Sequence, residues 1–238
     1  AQEAMVAHYT NAGYTVFAPF YRLADDKEAP PACHLASAND ILDDTRAALT
    51  WVETNAAEFG ASAEHIAVTG QSAGAYLAAS LALSHGDKIS QALLFYPPTD
   101  FSDFVSQAET GSFTPDRQGV SAIEALIGRP LDEMSASDPD LNTLSLPQQM
   151  QNLAGDLPAM FIVHGVADKL VPSRQSVRLC NALSGSADTG SAMDDGGAPE
   201  EGIFHRTYAC DTQGSQLHLI AEGDHALDAC LFGIECPA

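Results

Sequence analysis

The sequence predicts an α/β fold, a mostly parallel central sheet with helices on both faces, and three observations carry that prediction. Short apolar, β-branched runs (His65-Ile66-Ala67-Val68-Thr69, and residues 91–96 and 159–164) read as strands buried on both sides. Segments with apolar residues at helical spacing alternate with them, which is the order of a sheet built by helical crossovers. A G-x-S-x-G, Gly70-Gln71-Ser72-Ala73-Gly74, lies at one strand-to-helix junction. At 238 residues the chain can bury one large core, and residues 1–238 are read as a single domain.

Each element has its own justification. Met5, Val6 and Tyr9 fall on one side of a helix over residues 1–11, which Gly13 can end. Residues 14–20 read as a strand. Ser37 and Asp40 match a capping box ahead of an apolar stripe (Ile41, Leu42, Ala48, Leu49, Val52, Ala56, Phe59) that stops at Gly60. After the G-x-S-x-G, Leu77, Ala78, Leu81 and Ala82 mark a helix packed by small residues. The strand over residues 91–96 is closed by Pro97-Pro98.

From about residue 99 to 156 the pattern weakens to one short helix at 120–127 among Pro-, Ser- and Asp-rich connections. A long irregular excursion of this kind reads as a lid or binding loop. Phe101, Phe104 and Phe113 there either line a pocket or form the lid's own core. A strand at 159–164 and a helix at 173–183 resume the alternation. Residues 184–202, rich in Gly, Ala, Ser and Asp, read as a flexible surface insertion. A last strand at 216–221 leads to Gly223-Asp224-His225 and a short terminal helix.

Ten Lys and Arg against 32 Asp and Glu give a net charge of −22 and a strongly acidic chain. Such a surface repels phosphate backbones, which excludes nucleic acid as a partner and disfavours anionic membranes. No run is long and apolar enough to span a membrane. Five cysteines (Cys33, Cys180, Cys210, Cys230, Cys236) lack the spacing of a zinc ribbon or a redox C-x-x-C. Cys230 and Cys236 can close a small loop, and Cys180 with Cys210 can staple the base of the 184–202 insertion. Two bridges with Cys33 left over suit an oxidising compartment, so a secreted or periplasmic protein is expected, with the cytoplasm as the alternative.

The chemistry follows from Ser72. A serine hydroxyl needs a base, normally a histidine oriented by a carboxylate. At a sharp strand-to-helix turn it is raised above the sheet end, beside the positive end of a helix. Gly70 and Gly74 are expected because side chains there would strike the neighbouring strand or helix, and the Ala73 N–H offers a donor to a developing oxyanion. Asp168, in the turn after the strand ending at His164, sits where ligands bind in open α/β sheets. Asp211 and Asp224 are its rivals. Among later histidines His225 follows the last strand in a Gly-containing loop. His218 lies inside that strand and His205 before it. The expected set is therefore Ser72 as nucleophile, Asp168 as acid and His225 as base, with no metal or organic cofactor required.

Phe20-Tyr21-Arg22-Leu23-Ala24, the helix from Asp44 to Val52, Gly70-Gln71-Ser72-Ala73-Gly74 and His164-Gly165-Val166-Ala167-Asp168-Lys169-Leu170-Val171-Pro172 resemble the α/β-hydrolase esterases. The likeness is to carboxylesterases of the hormone-sensitive-lipase and feruloyl-esterase-like kind. It covers nearly the whole chain apart from the lid and the 184–202 insertion. It implies the α/β-hydrolase fold, the same three residues in the same roles, and a structural part for Tyr21, Arg22 and Asp44. It also implies further N-terminal strands and a His-Gly-Gly-type loop upstream of residues 1–11, so that the oxyanion partner of Ala73 lies outside these residues. The expected activity is hydrolysis of small or aromatic acyl esters through an acyl-enzyme. The alternatives are an amidase, formamidase or serine peptidase with the same residues, or a non-catalytic binding module of the same fold.

Overall fold

A computed structural model of the protein describes residues 2–24, 36–153, 155–185, 205–221 and 223–225. Five strands form one open sheet in the order β1-β2-β3-β5-β4: β1 Ile66–Gln71, β2 Ile89–Phe95, β3 Ala159–Gly165, β4 His205–Ala209 and β5 Gln216–Ile220. The first four in that order run parallel, and β4 closes the far edge antiparallel to β5. Four neighbouring strands therefore end at the same edge of the sheet. Ser72 follows β1, Tyr96 follows β2, the acid turn follows β3, and the His225 loop follows β5.

Helices pack on both faces of the sheet, but β1, at one end of the strand order among the described residues, alternates half-buried and exposed residues instead of being buried on both sides as its composition suggested. One face carries α2 (Ala38–Asn55), α3 (Ala73–Ser84) and α8 (Arg174–Leu183), whose apolar residues join Ala92, Leu94, Met160, Ile162 and Leu217 in the main core. On the other face α1 (Gln2–Asn11) sets Met5 against Phe95, Tyr96 and Val163. Helix α2 starts with the expected capping box, in which Ser37 Oγ accepts from the Asp40 N–H and Asp40 accepts from the Ser37 N–H. Arg22 then ties the preceding chain to α2 by a two-pronged pair with Asp44, at 2.9 Å from Nε and 2.8 Å from Nη2. The structural part expected of Arg22 and Asp44 is what they play.

Three expectations change. Residues 14–20 form no strand. A strand is defined by a hydrogen-bonded neighbour, and among the described residues β1 pairs only with β2. The aromatics that suggested a strand pack elsewhere: Phe17 lies edge-on to Trp51 of α2 and to Phe59, while Phe20 is 99% exposed.

The lid segment is not irregular. Among the described residues it holds four α-helices, α4 (Phe101–Thr110), α5 (Arg117–Ile127), α6 (Pro139–Leu144) and α7 (Leu146–Met150), and a 3-10 turn at Leu131–Glu133. Asp100 and Asp116 cap the first two through the N–H groups of Asp103 and Gly119, and the left-handed Gly111 and Gly128 end them. Phe101 packs on Tyr76 of α3 and Phe104 on Phe113, so the first two aromatics join the lid to the main core and Phe113 packs against it.

The third change is β4, a strand where none was expected. Its five residues pair with β5. A disulfide joins Cys180, at the end of α8, to Cys210, directly after β4, as the spacing suggested. Cys33, Cys230, Cys236, residues 186–202 of the expected insertion and the terminal helix lie outside the described residues. Among the described residues no helix is long and apolar enough to cross a membrane.

Candidate active site

Ser72 stands between the last residue of β1 and the first of α3, with φ 50° and ψ −121°. A positive φ is costly for a residue with a Cβ, and the turn is enforced by what surrounds it. The Ser72 N–H donates to the Phe95 carbonyl of β2 at 3.0 Å, and the Ser72 carbonyl accepts from Ala75 at 2.9 Å. Gly70 makes the turn possible, because a Cβ there would lie 2.2 Å from the backbone of Gly74. Gly74 corrects the expectation made for it. Among the described residues a Cβ on Gly74 meets no atom within 4 Å, since it is the backbone of Gly74 that Gly70 approaches. Gln71 donates to the sulfur of Met5. Ala73 is exposed and opens α3, so its N–H belongs to the first turn, where helix donors have no intrahelical acceptor.

Asp168 is held by its hydrogen bonds. Its Oδ1 accepts from the backbone N–H groups of Leu170 at 2.8 Å and Val171 at 2.9 Å. Its Oδ2 lies 2.8 Å from Nδ1 of His225 and 3.3 Å from Nε2 of His164. Burial pushes this carboxyl up, but the hydrogen bonds from His164, His225 and Val171 outweigh it and hold the group well below the usual carboxylate range.

His225 completes the chain, with Nδ1 on Asp168 and Nε2 2.9 Å from Ser72 Oγ. Because the Asp168 carboxylate only accepts, Nδ1 carries the hydrogen and Nε2 turns its lone pair toward the serine hydroxyl. Gly165 lets the two loops meet. A Cβ on it would fall 2.1 Å from the Gly223 carbonyl oxygen, and across this contact Ala167 N–H donates to Gly223 at 3.0 Å. Tyr96 supports the imidazole from β2, its ring centroid 4.6 Å away. Tyr96 is also the other non-glycine residue of the described chain with a positive φ, at 41°.

The three residues expected from the sequence thus meet in one hydrogen-bonded line. The rivals do not. Asp211 folds its own turn by accepting from Gln213 and Ser215, His218 lies beside Thr207 across the β4–β5 pair, and His205 is part of β4. Asp224 contributes backbone to the close approach at Gly165. Sequence reasoning missed Tyr96 and Gly165. Tyr96 could have been suspected from its place just after a buried strand and before Pro97, Gly165 from its place between His164 and the acid turn. A cleft of about 510 Å³ opens beside the acid turn, walled by Asp103, Gln107, Phe113, Asp168, Pro172 and Arg174 among others.

Known proteins resemble this chain in sequence and in fold. The esterase LipQ of Mycobacterium tuberculosis is 30% identical over 158 residues, 63% of this chain and 34% of LipQ. The carboxylesterase NlhH of the same organism is 30% identical over 159 residues, 66% of this chain and 47% of NlhH. The chain therefore spans between a third and a half of the length of these curated relatives. Among solved structures, a sugar hydrolase (YeeB) from Lactococcus lactis superposes with a TM-score of 0.61 at 17% identity, covering 99% of this chain and 72% of that one. An esterase from Thermogutta terrifontis does so with 0.51 at 19%, covering 87% and 60%. These likenesses establish the α/β-hydrolase fold. The BD-FAE family model matches residues 1–183, most of the chain, and on that match the chain belongs to the BD-FAE family of the α/β-hydrolase superfamily.

Proposed function

We propose that the protein is a serine-dependent carboxylic ester hydrolase with Ser72 as nucleophile, His225 as general base and Asp168 as the acid that orients it. The observation that carries this reading is the unbroken line from Ser72 Oγ to His225 Nε2 and from His225 Nδ1 to Asp168 Oδ2, at 2.9 and 2.8 Å. Ser72 Oγ attacks the ester carbonyl carbon while His225 takes its proton. Asp168 stabilises the imidazolium that forms. The tetrahedral oxyanion is received by the Ala73 N–H at the positive end of α3. Collapse breaks the C–O bond, His225 returns the proton to the departing alcohol, and an acyl-Ser72 ester remains. Water then attacks that ester through the same base and the free acid leaves. The esterase and carboxylesterase relatives support this class of reaction.

The acyl group proposed is small or aromatic. This reading rests on the sequence, which holds no extended apolar surface segment of the kind that takes up a long alkyl chain. Export to an oxidising compartment is proposed alongside, supported by the Cys180–Cys210 bridge. Thiol titration of the denatured, unreduced protein tests it, and five free cysteines would argue for a reducing compartment.

Ser72→Ala tests the reaction. The variant should fold as the parent does, hydrolyse chromogenic acetyl and aryl esters at the buffer rate, and lose labelling by an organophosphonate. A folded Ser72→Ala protein that keeps most of the parent's turnover would overturn the assignment. Faster cleavage of matched amides than esters would move the protein to amide hydrolysis by the same residues.

A further inference from the structure

The acid carries a second imidazole that the reaction just described does not use. His164, the penultimate residue of β3, has no exposed side-chain surface, and neither has the Asp168 carboxylate beside it. Its Nε2 lies 2.9 Å from the Val171 carbonyl oxygen and 3.3 Å from Asp168 Oδ2. Both are acceptors, so the hydrogen is on Nε2, shared between a nearer carbonyl and a farther carboxylate. On the other side Nδ1 lies 2.6 Å from the Ser176 hydroxyl of α8, which can donate to it. A neutral Nε2–H imidazole satisfies every polar atom of this buried cluster.

We propose that His164 is a positioning residue: anchored by Ser176 and Val171, it fixes the Asp168 carboxylate and shares with His225 the oxygen on which the base depends. The proposal rests on the reading of Ser72, His225 and Asp168 as an acyl-transfer relay. Two N–H groups on Oδ1 and two imidazoles on Oδ2 leave the carboxylate no rotational freedom. The His164 contact also draws charge away from the oxygen that would otherwise serve His225 alone. Removing it concentrates that charge on His225, stabilises the imidazolium, and holds the base protonated to higher pH. The groups that face this cluster are His225 on the β5 loop, Tyr96 at the end of β2, and Asp103 and Arg174 across the cleft that Asp168 borders.

The experiment follows the imidazole nitrogens of the intact protein by NMR, with and without His164→Leu, and pairs this with the pH profile of ester turnover. In the parent, His164 should read as the neutral Nε2–H tautomer. In His164→Leu the titration midpoint of His225 should rise. Turnover should fall about 10- to 100-fold, the size of effect found when an outer partner of a functional ligand is lost. His164→Gln, with an amide N–H that can reach Asp168, should recover most of the titration shift. Should His164→Leu fail to fold, Ser176→Ala keeps the ring and removes its anchor, and should move the His225 midpoint the same way by less. An Nδ1–H tautomer or an imidazolium at His164 in the parent overturns the proposal, as does a folded variant whose His225 titrates as in the parent. The nitrogen signals are read without substrate, so a protein that cleaved no ester would defeat the proposed reaction and leave this contact separately measured.

Discussion

Ser72 and Asp168 both follow parallel strands that end at one edge of the sheet, yet they are held in place by different means. Ser72 is positioned by its backbone: a positive φ, a carbonyl of β2 gripping its N–H, and a missing Cβ at Gly70 that lets strand and helix approach. Asp168 is positioned by its side chain, through two backbone donors on one oxygen and two imidazoles near the other. The difference follows from the work proposed for each. The nucleophile's oxygen must change partners during a reaction, so its geometry is stored in the chain beneath it. A carboxylate that keeps its charge throughout can be tied down by as many donors as fit.

The contrast can be broken most forcefully at Gly70. Gly70→Ala drives a Cβ to 2.2 Å from the Gly74 backbone and should cost about 3 kcal/mol or more of stability in urea unfolding, while Gly74→Ala should change stability by less than about 1 kcal/mol. Equal costs at the two glycines would mean that the elbow is not held by this approach.

The acid side should yield a moderate effect with a pH signature. Asp168→Asn keeps the shape and loses the charge, and should cost about 1.5–3 kcal/mol near neutral pH, the range for hydrogen bonds to a charged group. Asp168 stays ionised in the fold to lower pH than in the unfolded chain, where an aspartate titrates near 3.9. It therefore stabilises the fold above that value and gives this up as pH falls through its lower folded value. Unfolding free energies measured from pH 6 downward should converge for parent and Asp168→Asn as the acid range is entered. Parallel curves would argue against a charge-held acid.

The smallest effect should come at Ser72 itself. Ser72→Gly relieves the positive φ that Ser72→Ala retains, and should be the more stable of the two by about 1 kcal/mol, with both inactive. Calorimetric midpoints in the reverse order would place the strain elsewhere in the turn.

Local pattern made much of this legible. The runs that became β2 and β3 are apolar because most of their length lies in the core, while β1, with the same composition, alternates half-buried and exposed residues; Ser37, Asp40 and Gly60 marked the ends of the first long helical stretch by cap chemistry alone. Ser72, Asp168 and His225 were recognisable by their positions after strands. The parts that escaped were settled by partners. Residues 14–20 have strand composition, but a strand also needs a neighbour. The five mixed residues of β4 become a strand because β5 offers an edge. The lid helices are short, yet α4 buries Phe101, Phe104 and Val105 and α5 buries Ile123, and Asp100, Gly111, Asp116 and Gly128 already bracketed these two. Tyr96 carries no motif for what it touches, since its contact with His225 joins elements far apart in the chain, whereas His164 meets Asp168 and Val171 within the stretch that carries the family likeness.

The Cys180–Cys210 bridge changes what the chain between its ends has to do. Asp168 and His225 are 57 residues apart in sequence, and the bridge spans 30 of them. With the two sulfurs joined, acid and base are tethered along a covalent path that bypasses everything the ring encloses. A cut inside the ring would leave the base-bearing strand attached to the helix that follows the acid, and β4, which lies within the ring, would keep its own hold on β5 by pairing.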